Sequence, residues 1–308
     1  DEIKDTIPVT ATFTVNNVTM TKTGNISIPD HNFPAEFDDG FKLCSVCGKV
    51  IYQSAEVISD THYPELIGNY VGYYAIENAG QLYWFAGLVS GDENICTGGV
   101  TQNKSANAVL TADIIVNRDL LTSLKYDSDN NVTNGSDFTS WTSIGWERWV
   151  GNVLVKNPYT GTFDGQGHTV SGLYFNGTNV EDVGLFGNVG SGGSVSNVGI
   201  VDSYFNGYRL VGGVCGRNDG TITNCYNTGT VTGKDCYVGG VCGDNSGIIT
   251  NCYNTGTVSG VSSVGGVCGR MWVGTIANCY NTGAVSASGS NPLVGGVCGY
   301  LAGGYIIN

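Results

Sequence analysis

The six residues NCYNTG occur at 224–229, 251–256 and 278–283, displaced by 27 each time. A second motif, VGGVCG, interleaves with them at 211–216, 238–243, 264–269 and 294–299, with spacings of 27, 26 and 30. Together they define a unit close to VGGVCGxNxGTITNCYNTGTVSG. A degenerate copy covers 183–207 and keeps the register, because Asn197 stands 27 residues before Asn224. A fixed period of this length marks a stacked array, and it constrains the fold more than any other feature of the chain.

Each unit holds β-branched runs too short for helices and bounded by Gly, Asn or Asp-Gly. One unit cannot bury its own apolar face. Stacked copies can, if each strand bonds to the same strand one coil on, ~4.8 Å away. The expected fold is all-β: a right-handed parallel β-helix of about 27 residues per coil, the hand following from parallel crossover geometry. A leucine-rich horseshoe would need a Leu-xx-Leu-x-Leu frame that is absent, and a propeller blade needs ~40 residues or more. Residues 73–308 are assigned to this solenoid, and residues 1–72 to a small β-rich or irregular N-terminal segment. Within 78–89, the spacing of Ala79, Leu82, Tyr83, Ala86 and Leu88 predicts a short helix capping the first coil.

The repeated corner carries its own prediction. Asn224, Asn251 and Asn278 should form a ladder, their amides bonding along the axis and their backbones tolerating a left-handed turn. Gly229, Gly256 and Gly283 should supply the turn that follows. The competing reading makes these asparagines a sugar-binding face, but identical repetition fits a structural corner better.

The four GGVCG and three NCYNTG copies, with GLFG at 184–187, make the chain resemble the GLUG-repeat family. GTFDGQGHTVSGLYF at 161–175 and NAGQLYWFAGLV at 78–89 are similar to segments that lead into such repeats, so the resemblance covers roughly 73–308. It implies a surface-exposed bacterial β-helix of the kind found in adhesins and in non-catalytic parts of IgA-specific metalloendopeptidases. It implies no enzymatic activity. GGVCG departs from the commoner GGLVG spelling, which bears on the cysteines and not on the fold.

Charge narrows the partners. With 13 Lys and Arg against 26 Asp and Glu, the net charge is −13. A nucleic-acid binder needs a basic stripe, so nucleic acid is excluded, and anionic membrane surfaces are disfavoured. No run of ~18 apolar residues is present to insert in a membrane. The opening DEIKDTIPV and the closing GGYIIN make the chain read as a piece of a longer protein.

There are 11 cysteines, an odd number. Cys215, Cys242, Cys268 and Cys298 form one column and Cys225, Cys252 and Cys279 another, suited to filling a narrow interior as free thiols. A different signal lies upstream. Cys44 and Cys47 have zinc-knuckle spacing and are bracketed by His31 and His62, two of only three histidines. The four would close a structural zinc site. A local Cys44–Cys47 disulfide or free thiols are the alternatives.

Little in the sequence looks catalytic. Asp202, Asp219, Asp235 and Asp244 are the only carboxylates after residue 200, and Arg209, Arg217, Arg270 and Lys234 share no evident repeat position. Asp219 and Asp244 read as turn residues. Asp164 sits in a turn signal, and His168 has no neighbouring nucleophile. Asp127, Asp129 and Asn131 have calcium-loop spacing without the loop's glycine or closing Glu. Trp141, Trp146 and Trp149 in SWTSIGWERWVG form the densest aromatic patch, a candidate platform for sugar rings.

The expectation is therefore a non-enzymatic module for adhesion or display at a bacterial cell surface. It is a rigid rod that binds glycan or host surface protein, with a possible structural zinc. The rivals are a polysaccharide lyase or hydrolase on the same fold, which requires carboxylates and basic groups to converge in one groove, and a purely structural stalk.

Overall fold

A computed structural model gives the structure of the chain. It describes residues 6–15, 18–27, 36, 38–43, 50–59, 63, 66–92, 95, 100–150 and 153–308. Short strands recur once per coil and pair in parallel with the strand one coil on. In the nine-stranded sheet the register runs Val195, Ile222, Ile249, Ile276, Ile306. A five-stranded sheet aligns Phe205, Val231, Val258 and Val285, and another aligns Cys215, Cys242, Cys268 and Cys298. The chain is a parallel β-solenoid whose coil is the sequence repeat.

Two left-handed corners per coil keep the strands short. Asn197, Asn224, Asn251 and Asn278 occupy one, with φ of 55°, 55°, 55° and 52°. Asp182, Leu210, Tyr237 and Ser263 occupy the other, just before each Val-Gly pair, with φ of 57°, 57°, 65° and 52°. Asn adopts this conformation at little cost, whereas Leu and Tyr do so under strain. The last glycine of VGGVCG lies against this second corner one coil back. A Cβ on Gly216 would stand 2.6 Å from the Asp182 backbone.

Asn224 takes the left-handed corner, and the glycine that ends NCYNTG stands at the bend that follows. A Cβ on Gly229 would meet the Ser203 carbonyl at 2.5 Å, so glycine is needed there for close approach between coils.

The interior narrows along the axis. Val214, Val241 and Val267 form one wholly buried column and Ile222, Ile249 and Ile276 another. Each such side chain contributes on the order of 1.5–3 kcal/mol. Toward the head the filling becomes aromatic, with Tyr159, Phe163, Phe186 and Phe205 fully buried.

The helix Ala79–Ser90 lies at this wide end. Asn78 caps it by accepting a 3.0 Å bond from the Gln81 N–H, and Gly91 ends it at φ 71°. The apolar stripe predicted for it proves too narrow, since every residue from Ala79 to Val89 is buried. Tyr52 stacks on Tyr83 at 5.4 Å and Phe41 packs edge-on at 5.7 Å, so the N-terminal strands Phe41–Leu43 and Val50–Tyr52 cover its outer side. Glu56–Val57 then pairs antiparallel with Tyr74–Ile76 and closes the edge of the nine-stranded sheet. The division drawn at 72/73 thus falls beside strands that share one sheet.

Candidate ligand groove

One outer face of the solenoid gathers a row of charged side chains. Strands Phe186–Val189, Cys215–Asn218, Cys242–Asn245, Cys268–Met271 and Cys298–Leu301 align Asn188, Arg217, Asp244, Arg270 and Tyr300 in a single row. Arg217 and Arg270 therefore do share a repeat position, contrary to the reading of the sequence. The row holds Asp244 between them, on a strand and not in a turn.

The two arginines differ in how well they are paired. Arg270 grips Asp244 through two bonds, Nε to Oδ1 at 2.8 Å and Nη2 to Oδ2 at 2.7 Å. Its guanidinium also lies 3.9 Å over the Tyr237 ring and 5.4 Å from that of Trp272. Asp244 thus matches the Arg270 charge through a two-bond pair. Among the described residues Arg217 has two carboxylates within 4.0 Å, Glu147 at 3.5 Å and Asp182 at 4.0 Å. Its Nε and the Asp182 Oδ1 are both buried without a hydrogen-bond partner.

Glu147 arrives on the hairpin Trp146–Val150 and Val153–Asn157, directly opposite Lys156, whose Nζ stands 2.9 Å from Oε2. Asp182 comes from the left-handed corner. Burial raises its carboxyl pKa to about 7, Glu147 and Glu181 push the same way, and Arg217 and the Glu147 N–H oppose them. Arg209 pairs with Glu181 at 2.9 Å. Glu147, Leu154, Glu181, Asp182, Arg209 and Arg217 line a cavity of about 400 Å³. A second hollow of about 240 Å³ shares Arg217 and continues past Asp219, Asp244 and Arg270 to Trp272. Trp272 is 56% exposed. The result is a polar groove along the solenoid axis.

The predicted aromatic patch divides. Trp141 is 1% exposed, donates its indole N–H to the Gly184 carbonyl at 3.0 Å, and meets Tyr83 edge-on at 5.0 Å. It is core, with no ring face for a sugar. Trp146 is partly buried on the hairpin, and the Trp149 backbone pairs with Leu154 at the cavity wall. Trp272 escaped the sequence reading, although a signal existed. RMWVG replaces the RNDG and DNSG of the preceding coils with one extra residue and a tryptophan.

His31, Cys44, Cys47 and His62, the predicted zinc ligands, lie outside the described residues. The asparagine corner forms a continuous chain of amides. Asn278 donates to Asn251 at 3.1 Å, Asn251 to Asn224 at 3.2 Å, Asn224 to Asn197 at 2.9 Å, and Asn197 to Asp164 at 2.9 Å. Asp164 also accepts the Tyr70 hydroxyl at 2.6 Å, a bond that pushes the Tyr70 phenol up to about 12. His168 faces Asp113 at 3.4 Å. Asp127 accepts the N–H groups of Asp129 and Asn131 within its own loop, which occupies its Oδ1.

Two further columns had no sequence expectation. Tyr226, Tyr253 and Tyr280 stack face to face at 4.9 and 5.0 Å, so both faces of Tyr253 are occupied by its neighbours. Asn227, Asn254 and Asn281 form an inner ladder, with bonds of 2.8 Å from Asn227 to Asn254 and from Asn254 to Asn281.

Eight free cysteines are present among the described residues. Cys225 and Cys252 each donate to the carbonyl two residues before them at 3.2 Å. The columns therefore bond to the backbone as well as filling space.

The fold and its motifs define a class, the β-solenoid built of GLUG repeats. The family model for "The GLUG motif" matches residues 207–232 and 235–259. The chain is 36% identical over 98 residues to halomucin of Haloquadratum walsbyi, covering 32% of this chain and 1% of that protein. It is 34% identical over 91 residues to a putative Gly-rich membrane protein of Evansella cellulosilytica, covering 29% of this chain and 10% of the other. The chain thus spans a small fraction of either relative's length. No solved structure matches it significantly. Among the described residues no helix is long and apolar enough to cross a membrane.

Proposed function

We propose that this chain is a rigid, non-enzymatic display module at the outer cell surface that adheres to glycan through the groove between Glu147 and Trp272. One observation carries the reading. An exposed tryptophan, a fixed Arg270–Asp244 pair and an underpaired Arg217 lie along one line of the axis. Aromatic faces beside fixed donors and acceptors suit sugar rings, whose C–H faces stack while their hydroxyls bond. Coils rise ~4.8 Å each, so the three steps from Asn188 to Arg270 span ~14 Å, enough for a short run of sugar residues.

Rigidity comes from backbone ladders that continue from coil to coil. Cleavage is not favoured, although carboxylates and arginines do converge here. Glu147 is held by Lys156 and faces Arg217, and Asp182 Oδ1 is sealed from solvent, so neither is placed to exchange a proton with a bound sugar.

The test is binding of the purified chain to an array of glycans and host matrix proteins, beside Trp272→Ala and Trp146→Ala. A saturable glycan signal lost in Trp272→Ala supports the reading. Silence across the array, or a glycan signal that Trp272→Ala leaves intact, overturns it. A signal confined to a matrix protein would replace glycan as the partner.

A further inference from the structure

We infer that the cavity around Arg217 receives the carboxylate of an acidic sugar, a uronic or sialic acid residue within the bound glycan. The inference rests on the glycan-binding reading and names the chemistry of its ligand. Arg217 and Arg270 occupy equivalent places in their coils, yet Arg270 is neutralised by a bidentate carboxylate and Arg217 is not. A guanidinium binds a carboxylate best through two parallel bonds. Arg217 lacks that partner, while its side chain is 28% exposed at the point where the two hollows meet. A ligand carboxylate would supply the pair that Asp244 supplies next door.

The unpartnered Nε of Arg217 and Oδ1 of Asp182 belong to the same weak pairing. The two atoms are buried 4.0 Å apart behind the cavity wall, and both lack a hydrogen-bond partner. Buried polar atoms are satisfied in nearly all native structures, so such a cluster marks a place where a ligand or ordered water completes the network.

The titratable groups around Arg217 set the pH dependence of the site. Glu147 and Lys156 come from the hairpin, Glu181 and Asp182 from the corner, Arg209 from the next coil, Asp219 from beyond the strand, and Asp244, already paired with Arg270, from the next strand in the row. Burial raises both Asp182 and Asp219 toward their neutral forms. Once Asp182 is protonated, Arg217 faces one less competing carboxylate. Binding of an anionic sugar therefore strengthens as pH falls from 8 to 6.

The test measures binding of the whole chain by calorimetry at pH 6 and pH 8. The probes are a galacturonate oligomer with its carboxyl-reduced galactose counterpart, and sialyllactose with lactose. We expect one acidic ligand to bind about tenfold or more tightly than its neutral counterpart. That preference should be larger at pH 6, and Arg217→Gln should abolish it while leaving neutral-sugar binding in place. Equal affinity for acidic and neutral partners in the unaltered chain overturns the inference and leaves the glycan reading standing, without relying on any variant. A preference that survives in folded Arg217→Gln also overturns it. Absence of binding to every glycan on the array removes the reading beneath it.

Discussion

Gly213 lies directly against the side chain of Asn227, so close that a Cβ on the glycine would stand 2.6 Å from the amide carbon. Gly240 meets Asn254 and Gly266 meets Asn281 in the same way. The second glycine of VGGVCG and the second asparagine of NCYNTG are thus two halves of one contact, which accounts for the two motifs recurring together. The amide is held there by its inner ladder and by the turn beyond it. Asn227 Oδ1 accepts the Gly229 N–H at 3.1 Å, and Asn254 Nδ2 donates to the Gly256 carbonyl at 2.8 Å.

Gly240→Ala should therefore destabilise the chain by about 1–3 kcal/mol through overpacking. Gly296 provides the control, because nothing lies within 4 Å of a Cβ built there. Gly296→Ala should stay within ~0.5 kcal/mol. Urea unfolding of both variants makes the comparison, and equal effects would refute the contact as the reason for the glycine.

The inner and outer asparagine ladders should respond differently. Asn254→Ala strips buried partners from Asn227 and Asn281 and should cost about 1–3 kcal/mol. Asn251 is on the exposed ladder with φ 55°, so its main burden is the left-handed backbone. Asn251→Gly should cost less than Asn251→Ala, which must hold an alanine in that region. Denaturation midpoints that rank the two Asn251 variants the other way would count against this.

Asp182 gives the fold a pH signature of known sign. Its folded pKa, raised to about 7, exceeds its unfolded value near 3.8. Between those values the folded state binds more protons, so this residue's contribution to stability falls as pH rises. It is fully favourable below the unfolded value and is lost as pH passes through about 7. Relative to Asp182→Asn, the unaltered chain should lose on the order of a few kcal/mol between pH 5 and pH 8. Parallel stability curves for the two proteins over this range would refute it.

Thiol accessibility should follow the columns. Cys215, Cys225, Cys242, Cys252, Cys268 and Cys279 are buried, whereas Cys236 and Cys298 are partly exposed. A disulfide reagent must reach the sulfur before it can react. In the native chain, Cys236 and Cys298 should react with such a reagent while these six wait for unfolding. Mass spectrometry of the labelled peptides decides, and rapid native labelling of the six would count against the interior described here.

Zinc remains a proposal from spacing. We expect one tightly held zinc per chain through His31, Cys44, Cys47 and His62. Elemental analysis should find it in protein purified without chelator and lose it in Cys44→Ser. A metal-free unaltered chain would withdraw the site.

Much of the architecture was legible because it is repetitive. A period near 27 can bury its apolar face only by stacking on itself, so the solenoid and the Asn224 corner followed from local spelling. The head was less legible. The stripe over Ala79–Ser90 suggested a one-sided cap, but Phe41 and Tyr52, distant in sequence, cover the other side.

The groove lies at the opposite limit. Glu147, Asp182 and Arg217 are separated by 35 residues each, and no single coil contains all three. Sequence spacing alone also set Arg270 apart from Arg217, because the coil between them is one residue shorter than its neighbour. Backbone register removes that difference. The sequence by itself determined the coil, its corners and its buried columns, since these are set by nearest-neighbour stacking of identical units. Only the tertiary structure decided which tryptophan is core and which is exposed, and which arginine lacks a partner. Those outcomes depend on contacts between non-repeated residues, and such contacts leave no period to read.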